Sequence, residues 1–218
     1  MGKILCIVQT SPVSSGELNQ LAKEYLPGVK LIEIIDSSLI DEVVSNGGVT
    51  KDVRRRLLTY YGYAEDVGAD VIMNQCSSVG EVADLGRQVV GVPIVKVDEP
   101  MMERAVSLGS RIALVATVAT TVGPSGRLLR SVAERMGKEI EVTEYLEDGA
   151  MLALFAGDRE KHNQMLLGVI EKAASENDVV VLAQGSMTAI LPLIGHIEKP
   201  VLTSPKIAFE YLKEFMKV

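Results

Sequence analysis

The chain has 218 residues, of which 47% are hydrophobic, and it carries a formal net charge of −7 at neutral pH. This is enough apolar material for a sizeable globular core, whereas the negative charge argues against nucleic acid or an anionic membrane as a partner. Since no apolar run approaches the roughly 18 residues of a membrane span and no signal-peptide cleavage site is seen, we expect a cytoplasmic protein without membrane contact.

The first half of the chain alternates predicted strands and helices. Its first strand, residues 3–8, is almost wholly apolar, which is typical of a parallel strand covered on both faces. Cys6 lies inside this strand and is predicted to be a core residue. Further strands are predicted at residues 31–35, 71–73 and 92–95, and helices at residues 18–25, 50–67, 81–90 and 100–108.

The second half repeats this alternation. Strands are predicted at residues 112–116, 140–145 and 179–183, and helices at residues 158–176 and 205–218. Residues 123–126, Gly-Pro-Ser-Gly, are predicted to form a turn that leads into a helix ending near Met136. This turn is not a phosphate-binding loop, because no Lys followed by Ser or Thr comes after it.

Two stretches of the chain resemble each other at a constant spacing. Residues 178–187 repeat residues 70–79, a strand followed by a polar loop, 108 positions further on. Residues 111–116 repeat residues 3–8 at the same spacing. We infer a tandem duplication in which the second copy has Gln184 where the first has Cys76. The same alignment places Leu114 opposite Cys6.

Alternating strands and helices of these lengths predict βαβ units with right-handed crossovers. Together with the repeat, they predict an α/β protein made of two pseudo-symmetric, open, mostly parallel-sheet halves. The first half is expected to span residues 1–96 and the second residues 97–203, while a C-terminal helix, residues 204–218, packs back on the first half. We expect a pseudo-twofold axis between the halves and an active-site cleft between them.

Ligands of open α/β sheets bind beyond the carboxyl ends of the strands. Four polar strand ends are therefore candidate site segments: residues 9–11, 74–78, 117–121 and 184–186. The helices that follow such loops offer N–H groups and partial positive charge, which suit a small carboxylate or a thiolate at Cys76. The two cysteines of the chain fit a reducing cytosol and are too few to form a zinc cluster, so no metal site is expected.

The segments Asn74-Gln-Cys76-Ser77 and Thr117-Val-Ala-Thr120 make the chain resemble the aspartate/glutamate/hydantoin racemase superfamily, over essentially its whole length. In that family two cysteines, one per half, flank the α-carbon of the substrate. One thiolate removes the proton and the opposite thiol returns one, without a cofactor. The resemblance implies a cofactor-independent isomerase that acts on a small carboxylate, namely an amino acid, a hydantoin or a dicarboxylate, with Cys76 as a catalytic residue.

The resemblance also implies a set of substrate-binding residues and a form of assembly. The residues that would bind the substrate are Thr10, Ser11, Asn74, Ser77, Thr117, Thr120, Thr121 and Ser186. The resemblance is compatible with a homodimer, since members of the family often form dimers.

Gln184 departs from the family pattern, in which a second cysteine stands at this position. An amide does not accept protons near neutral pH, so Gln184 cannot act as a second base and two-base racemisation is not expected. Gln184 is instead predicted to act in catalysis by donating its NH₂ group to a developing oxyanion. Alternatives on the same scaffold are a decarboxylase or other lyase and a cis–trans isomerase, and an alternative of another class is a non-catalytic protein that binds small acids.

Overall fold

The computed structural model describes residues 2–218, except for the side chain of Phe155. The chain divides into two compact units: the first comprises the residues up to Val97 together with Pro205–Val218, and the second is Asp98–Ser204. Each unit contains one four-stranded sheet in which all neighbouring strands are parallel. This confirms the predicted α/β class with two similar parallel-sheet halves.

The first unit has the strand order β2-β1-β3-β4, so β1 and β3 are its central strands. Its strands are β1 (Ile4–Gln9), β2 (Lys30–Ile35), β3 (Val71–Asn74) and β4 (Ile94–Lys96). Its helices are α1 (Ser15–Tyr25), α2 (Ser38–Ser45), α3 (Lys51–Asp66), α4 (Gly80–Gly86) and, from the end of the chain, α9 (Ser204–Met216).

Two layers of apolar side chains cover the faces of this sheet. On one face, Cys6 and Ile72 cluster with Leu57 and Tyr61 of α3. On the opposite face, the alternate side chains of β1 and β3 cluster with α1 and with α9, which contributes the fully buried Phe209. The last helix of the chain therefore completes the core of the first unit.

The second unit has the strand order β6-β5-β7-β8, which places β5 and β7 at its centre in the same way. Its strands are β5 (Arg111–Ala116), β6 (Glu141–Leu146), β7 (Val179–Leu182) and β8 (Val201–Thr203). Its helices are α5 (Glu99–Leu108), α6 (Ala119–Arg135), α7 (Asp148–Phe155) and α8 (Arg159–Glu176). On one face of the sheet, Ala113 and Val115 cluster with Leu166 and Ile170 of α8.

The strand registers correct the repeat that was read from the sequence. The amide of Gln75 donates to the carbonyl of Val8 (3.0 Å), just as the amide of Ala183 donates to the carbonyl of Val115 (2.9 Å). Gln75 and Ala183 correspond at the predicted spacing, but Val8 corresponds to Val115 and not to Ala116. The first strands of the two units are therefore offset by one residue from the predicted alignment.

This offset changes the residues that correspond in the two units. Ala113 holds in the second unit the position that Cys6 holds in the first, so the prediction that Leu114 is the counterpart of Cys6 is wrong. Thr10 and Thr117 now correspond, since each directly follows its strand. Strands that are buried on both faces accept apolar residues at every position, so sequence similarity alone does not specify their register.

The predicted turn at residues 123–126 is also wrong, because these residues lie inside α6, which already begins at Ala119. Pro124 stands in the second turn of the helix, where it removes one backbone hydrogen bond. The buried residues Thr121, Leu128 and Leu129 hold the helix in the unit in spite of this loss.

Two short helices, α2 and α7, are absent from the sequence-based prediction. The segment that forms α7 is apolar on all sides and lacks the spacing of an amphipathic helix, so its pattern does not distinguish helix from strand. Among residues 2–218, none of the helices is long and apolar enough to cross a membrane.

Candidate active site

The loop after β3 places a thiol at the carboxyl edge of the first sheet. β3 ends at the buried Asn74, and Cys76 follows two residues later with an extended backbone (φ −105°, ψ 117°). A 3-10 turn, Ser77–Val79, comes next and leads directly into α4. Cys76 is partly buried and does not form a disulfide, whereas Cys6 is fully buried in β1. Burial raises the pKa of the Cys6 thiol to about 11.

The side-chain amide of Asn74 connects this loop to α3. Its Oδ1 accepts a hydrogen bond from the hydroxyl of Tyr61 at 2.8 Å, and its Nδ2 donates to the carbonyl of Cys76 at 3.1 Å. The same carbonyl accepts a hydrogen bond from the amide of Val79 at 3.3 Å. Asn74, a predicted substrate-binding residue, thus uses both ends of its amide to hold the loop.

Tyr61 is fully buried, and it fits against α4 because residue 86 is a glycine. A Cβ atom on Gly86 would lie 2.6 Å from Tyr61 Cδ2. Burial raises the pKa of Tyr61 well above its usual range, and negative charge at Cys76 and at Asp84 raises that pKa further. The phenol therefore stays protonated at neutral pH. Tyr61 was not among the predicted site residues, although its place four residues after Leu57 on the buried face of α3 marks it as a core residue with a polar tip.

A buried lysine stands beside Asn74 on the neighbouring strand. Lys96 pairs in register with Asn74 and is only 5% exposed. Its Nζ lies 2.7 Å from Asp84 Oδ2, while Arg87 donates to the other carboxylate oxygen at 3.3 Å. Lys96 was not predicted as a site residue, but a lysine between apolar residues at the end of a buried strand is itself an unusual signal.

Thr10 and Ser11 reach the same sheet edge from β1. Val8 pairs with Asn74 across β1 and β3, so the residues that follow these strands emerge side by side. Thr10 is buried, while Ser11 is partly exposed and accepts a hydrogen bond from the amide of Val13 at 3.3 Å. The first unit therefore gathers Thr10, Ser11, Asn74, Cys76 and Ser77 at one edge.

Gln184 occupies in the second unit the place that Cys76 occupies in the first. The amide of Thr117 donates to Gln184 Oε1 at 2.7 Å, and Thr117 Oγ1 donates to the same oxygen at 3.2 Å. Because a backbone N–H can only donate, the atom that faces it must be the side-chain oxygen, and the NH₂ group lies at the other end of the amide. Gln184 therefore presents a hydrogen-bond donor and no proton-accepting group.

The remaining predicted residues of the second unit lie in two helical segments. Thr120 and Thr121 stand in the first turn of α6, where Thr121 is buried. Thr120 Oγ1 is also buried and has no hydrogen-bond partner within the described part of the chain. Ser186 lies in the 3-10 segment Gly185–Leu193 and is exposed.

Each unit thus offers a different chemistry. Both present hydroxyl groups at their strand ends, but the first unit adds the thiol of Cys76 and the second adds the amide donor of Gln184. Within residues 2–218, no three or more His, Cys, Asp and Glu side chains are grouped so that they could hold a metal ion.

Residues 10–212 match the family model described as Asp/Glu/Hydantoin racemase. No curated protein matches the chain significantly. The fold is similar to that of an aspartate racemase homologue from Pyrococcus horikoshii OT3, with 22% identity, a TM-score of 0.72 and complete coverage of both chains.

Two further solved structures share the fold at lower sequence identity. A glutamate racemase from Bacillus anthracis has 11% identity and a TM-score of 0.71 over 99% of this chain and 82% of its own. An allantoin racemase from Klebsiella pneumoniae has 15% identity and a TM-score of 0.67 over 99% of this chain and 88% of its own.

Proposed function

Because the chain belongs to the Asp/Glu/hydantoin racemase family, we propose that it is an isomerase that acts on a small carboxylate through the thiol of Cys76. The family match confirms the membership predicted from residues 74–77 and 117–120. The proposed substrates are an amino acid, a hydantoin or a dicarboxylate, and the proposed reaction needs no cofactor or metal.

The position of Cys76 carries this proposal. It stands just beyond the carboxyl end of a central strand, where α/β sheets bind their ligands, and it is partly accessible. Cys6, in contrast, is buried inside β1, and its pKa of about 11 keeps it protonated at neutral pH. Cys76 is therefore the thiol suited to acid–base or nucleophilic chemistry.

In the proposed reaction, the Cys76 thiolate removes the proton from the α-carbon of the substrate. The electron pair of the broken C–H bond moves onto a substrate carboxyl or carbonyl oxygen, which becomes an oxyanion. We propose that the NH₂ group of Gln184 donates to this oxyanion, a contribution of roughly 3–4 kcal/mol in favourable cases. Thr117 supports this role because its two hydrogen bonds to Oε1 leave the NH₂ group in one orientation.

The proposed ligands of the substrate carboxylate are hydroxyl groups at the strand ends. Thr120 is the best supported of these, because its buried Oγ1 has hydrogen-bonding capacity that the described residues do not use. The others are Thr10, Ser11, Ser77, Thr117, Thr121 and Ser186. For Asn74 the geometry favours holding the Cys76 loop over binding the substrate.

The amide at position 184 has a direct consequence for stereochemistry. Gln184 cannot return a proton to the second face, so isomerisation needs a single-base route in which solvent, or Cys76 after the substrate has turned, protonates the carbon on that face. The expected signature is exchange of the α-hydrogen that is faster than formation of the opposite enantiomer.

Proton NMR in D₂O tests this proposal. The protein is incubated with D- and L-aspartate, D- and L-glutamate, a 5-substituted hydantoin, maleate and a substituted malonate. We expect loss of the α-proton signal for one of the amino acids or the hydantoin, and no exchange with Cys76→Ala. Cys6→Ala is the matched control and should behave as the wild type.

The other outcomes each contradict part of the proposal. Formation of the opposite enantiomer as fast as α-hydrogen exchange would show that a second proton donor exists in spite of Gln184. Loss of CO₂ from the malonate or conversion of maleate would identify a decarboxylase or a cis–trans isomerase. Binding of an acid without any turnover would identify a non-catalytic small-acid-binding protein.

A further inference from the structure

We propose that Tyr61 is a positioning residue for Cys76 that acts through the side-chain amide of Asn74. The hydroxyl of Tyr61 donates to Asn74 Oδ1 at 2.8 Å, and Nδ2 of the same amide donates to the Cys76 carbonyl at 3.1 Å. The inference rests on the proposed function for its meaning in catalysis, but its test measures the thiol directly.

The direction of these hydrogen bonds follows from the chemistry of the three groups. The carbonyl of Cys76 can only accept, so the NH₂ end of Asn74 must face it. Asn74 Oδ1 then faces Tyr61, and the phenol must donate. Without the hydroxyl, Oδ1 would be a buried acceptor that has lost its partner, and the amide would have to turn to find another.

The carbonyl of Cys76 accepts this hydrogen bond. Its orientation sets the conformation of the backbone that carries the thiol. Besides Asn74 Nδ2, it accepts the amide of Val79 at 3.3 Å, which is a long hydrogen bond. The two donors together fix the peptide plane after Cys76, because that plane is rigid. Loss of the contact from Asn74 removes the shorter of these two hydrogen bonds.

The phenol remains a donor when the thiol ionises. Burial and negative charge at Cys76 and Asp84 both raise the pKa of Tyr61, so its hydroxyl keeps its proton over the range in which thiols titrate. The charged groups that pair with one another beside Tyr61 are Asp84 of α4, Arg87 just after α4, and Lys96 of β4. Replacing Tyr61 by phenylalanine changes none of these charges.

The structure offers a matched control one residue away. Tyr60 lies on the same helix, and its hydroxyl donates to Asp36 Oδ2 at 2.7 Å. Tyr60→Phe therefore removes a hydroxyl with a hydrogen bond of similar length that has no connection to Asn74. A general effect of weakening α3 would appear in both variants.

The test measures the rate at which iodoacetamide alkylates Cys76 as a function of pH, in a Cys6→Ala background. Alanine suits position 6, since Ala113 holds the corresponding place in the second unit. We expect Tyr61→Phe to change the rate of alkylation at pH 7 by about threefold to tenfold and to shift the midpoint of the rate–pH curve. Tyr60→Phe should leave both unchanged.

A double-variant cycle tests the path through Asn74. Asn74→Ala alone should move the midpoint in the same direction, so the question stays answerable even if Tyr61→Phe does not fold. In the Asn74→Ala background, Tyr61→Phe should add no further change. An unchanged midpoint in either single variant, or an equal shift by Tyr61→Phe in both backgrounds, would overturn the inference.

These outcomes are separable from those of the proposed function. A shifted midpoint in a protein that turns over none of the tested acids would uphold the role of Tyr61 and contradict the proposed isomerase. Turnover that depends on Cys76, with an unshifted midpoint in Tyr61→Phe, would support the proposed isomerase and contradict the role of Tyr61.

Discussion

The backbone amide of Thr117 donates a hydrogen bond of 2.7 Å to Gln184 Oε1. This contact identifies the oxygen and nitrogen of the side-chain amide without ambiguity, because an N–H group cannot face an NH₂ group at that distance. The side chain of Gln184 is therefore held with its NH₂ group as an oriented donor.

Removing this donor should lower the catalytic rate. Gln184→Met keeps a side chain of similar length but no hydrogen bond, so we expect kcat to fall by about 10²–10³-fold with a smaller change in KM. The measurement is the rate of α-hydrogen exchange in D₂O. Gln164→Met on the exposed face of α8 is the control and should retain full activity. If Gln184→Met kept as much activity as Gln164→Met, Gln184 would have no role in catalysis.

The two cysteines should differ strongly in reactivity in the native protein. Cys6 is fully buried with a pKa of about 11, so almost none of it is thiolate at pH 7.5. We expect iodoacetamide to modify Cys76 alone in the native protein and both cysteines after unfolding in urea. Peptide mass mapping reads the two sites separately. Comparable labelling of Cys6 in the native state would contradict its burial.

Gly86→Ala should destabilise the protein by disturbing Tyr61. The added methyl group would lie 2.6 Å from both Tyr61 Cδ2 and Ile94 Cδ1, so these side chains must move, and overpacking of this kind costs about 1–3 kcal/mol. The free energy of unfolding in urea measures the effect. Gly62→Ala is the control, since a Cβ there meets open space on α3, and it should raise stability by about 0.5–1 kcal/mol. Equal effects of the two substitutions would refute the packing argument.

Lowering the pH should abolish the contribution of Asp178 to the stability of the folded protein. Its hydrogen bonds from the side chain and the amide of Arg111 lower its pKa from an ordinary 3.8 to about 2. A lowered carboxyl pKa stabilises the folded state above pH 4, and this stabilisation disappears as the pH falls from about 4 to about 2.

Thermal unfolding across this pH range tests the assignment. The difference in Tm between the wild type and Asp178→Asn should be present at pH 5 and should vanish near pH 2. Asp66→Asn, which removes an exposed carboxylate at the end of α3, is the control and should leave the Tm at pH 5 close to that of the wild type. A difference for Asp178→Asn that persists at pH 2 would show that charge is not its source.

The parts of the fold that the sequence predicts well are those whose signal is local. β3 and β7 are short apolar runs followed by polar loops. Comparing the two segments shows that Cys76 and Gln184 occupy corresponding positions. The register of β1 against β5 has no such signal, because neighbouring apolar residues substitute for one another in strands covered on both faces.

Other features depend on packing that no local pattern reveals. The Gly and Pro residues of α6 predict a turn, but the buried side chains around them keep the helix continuous. The hydrogen bond from Tyr61 of α3 to Asn74 of β3 depends on how α3 is rotated against the sheet. Propensity is a weak predictor wherever tertiary contacts decide the outcome.

We expect the placement of α9 to reverse the usual order of folding during synthesis. The N-terminal domain of a protein generally folds first on the ribosome. Here one face of the first sheet is covered by Phe209 and its neighbours, which are translated after the whole of the second unit. The second unit is contiguous in the chain, so it can complete its core before α9 has been synthesised. The first unit can complete its own core only afterwards, so the middle of the chain is expected to fold first.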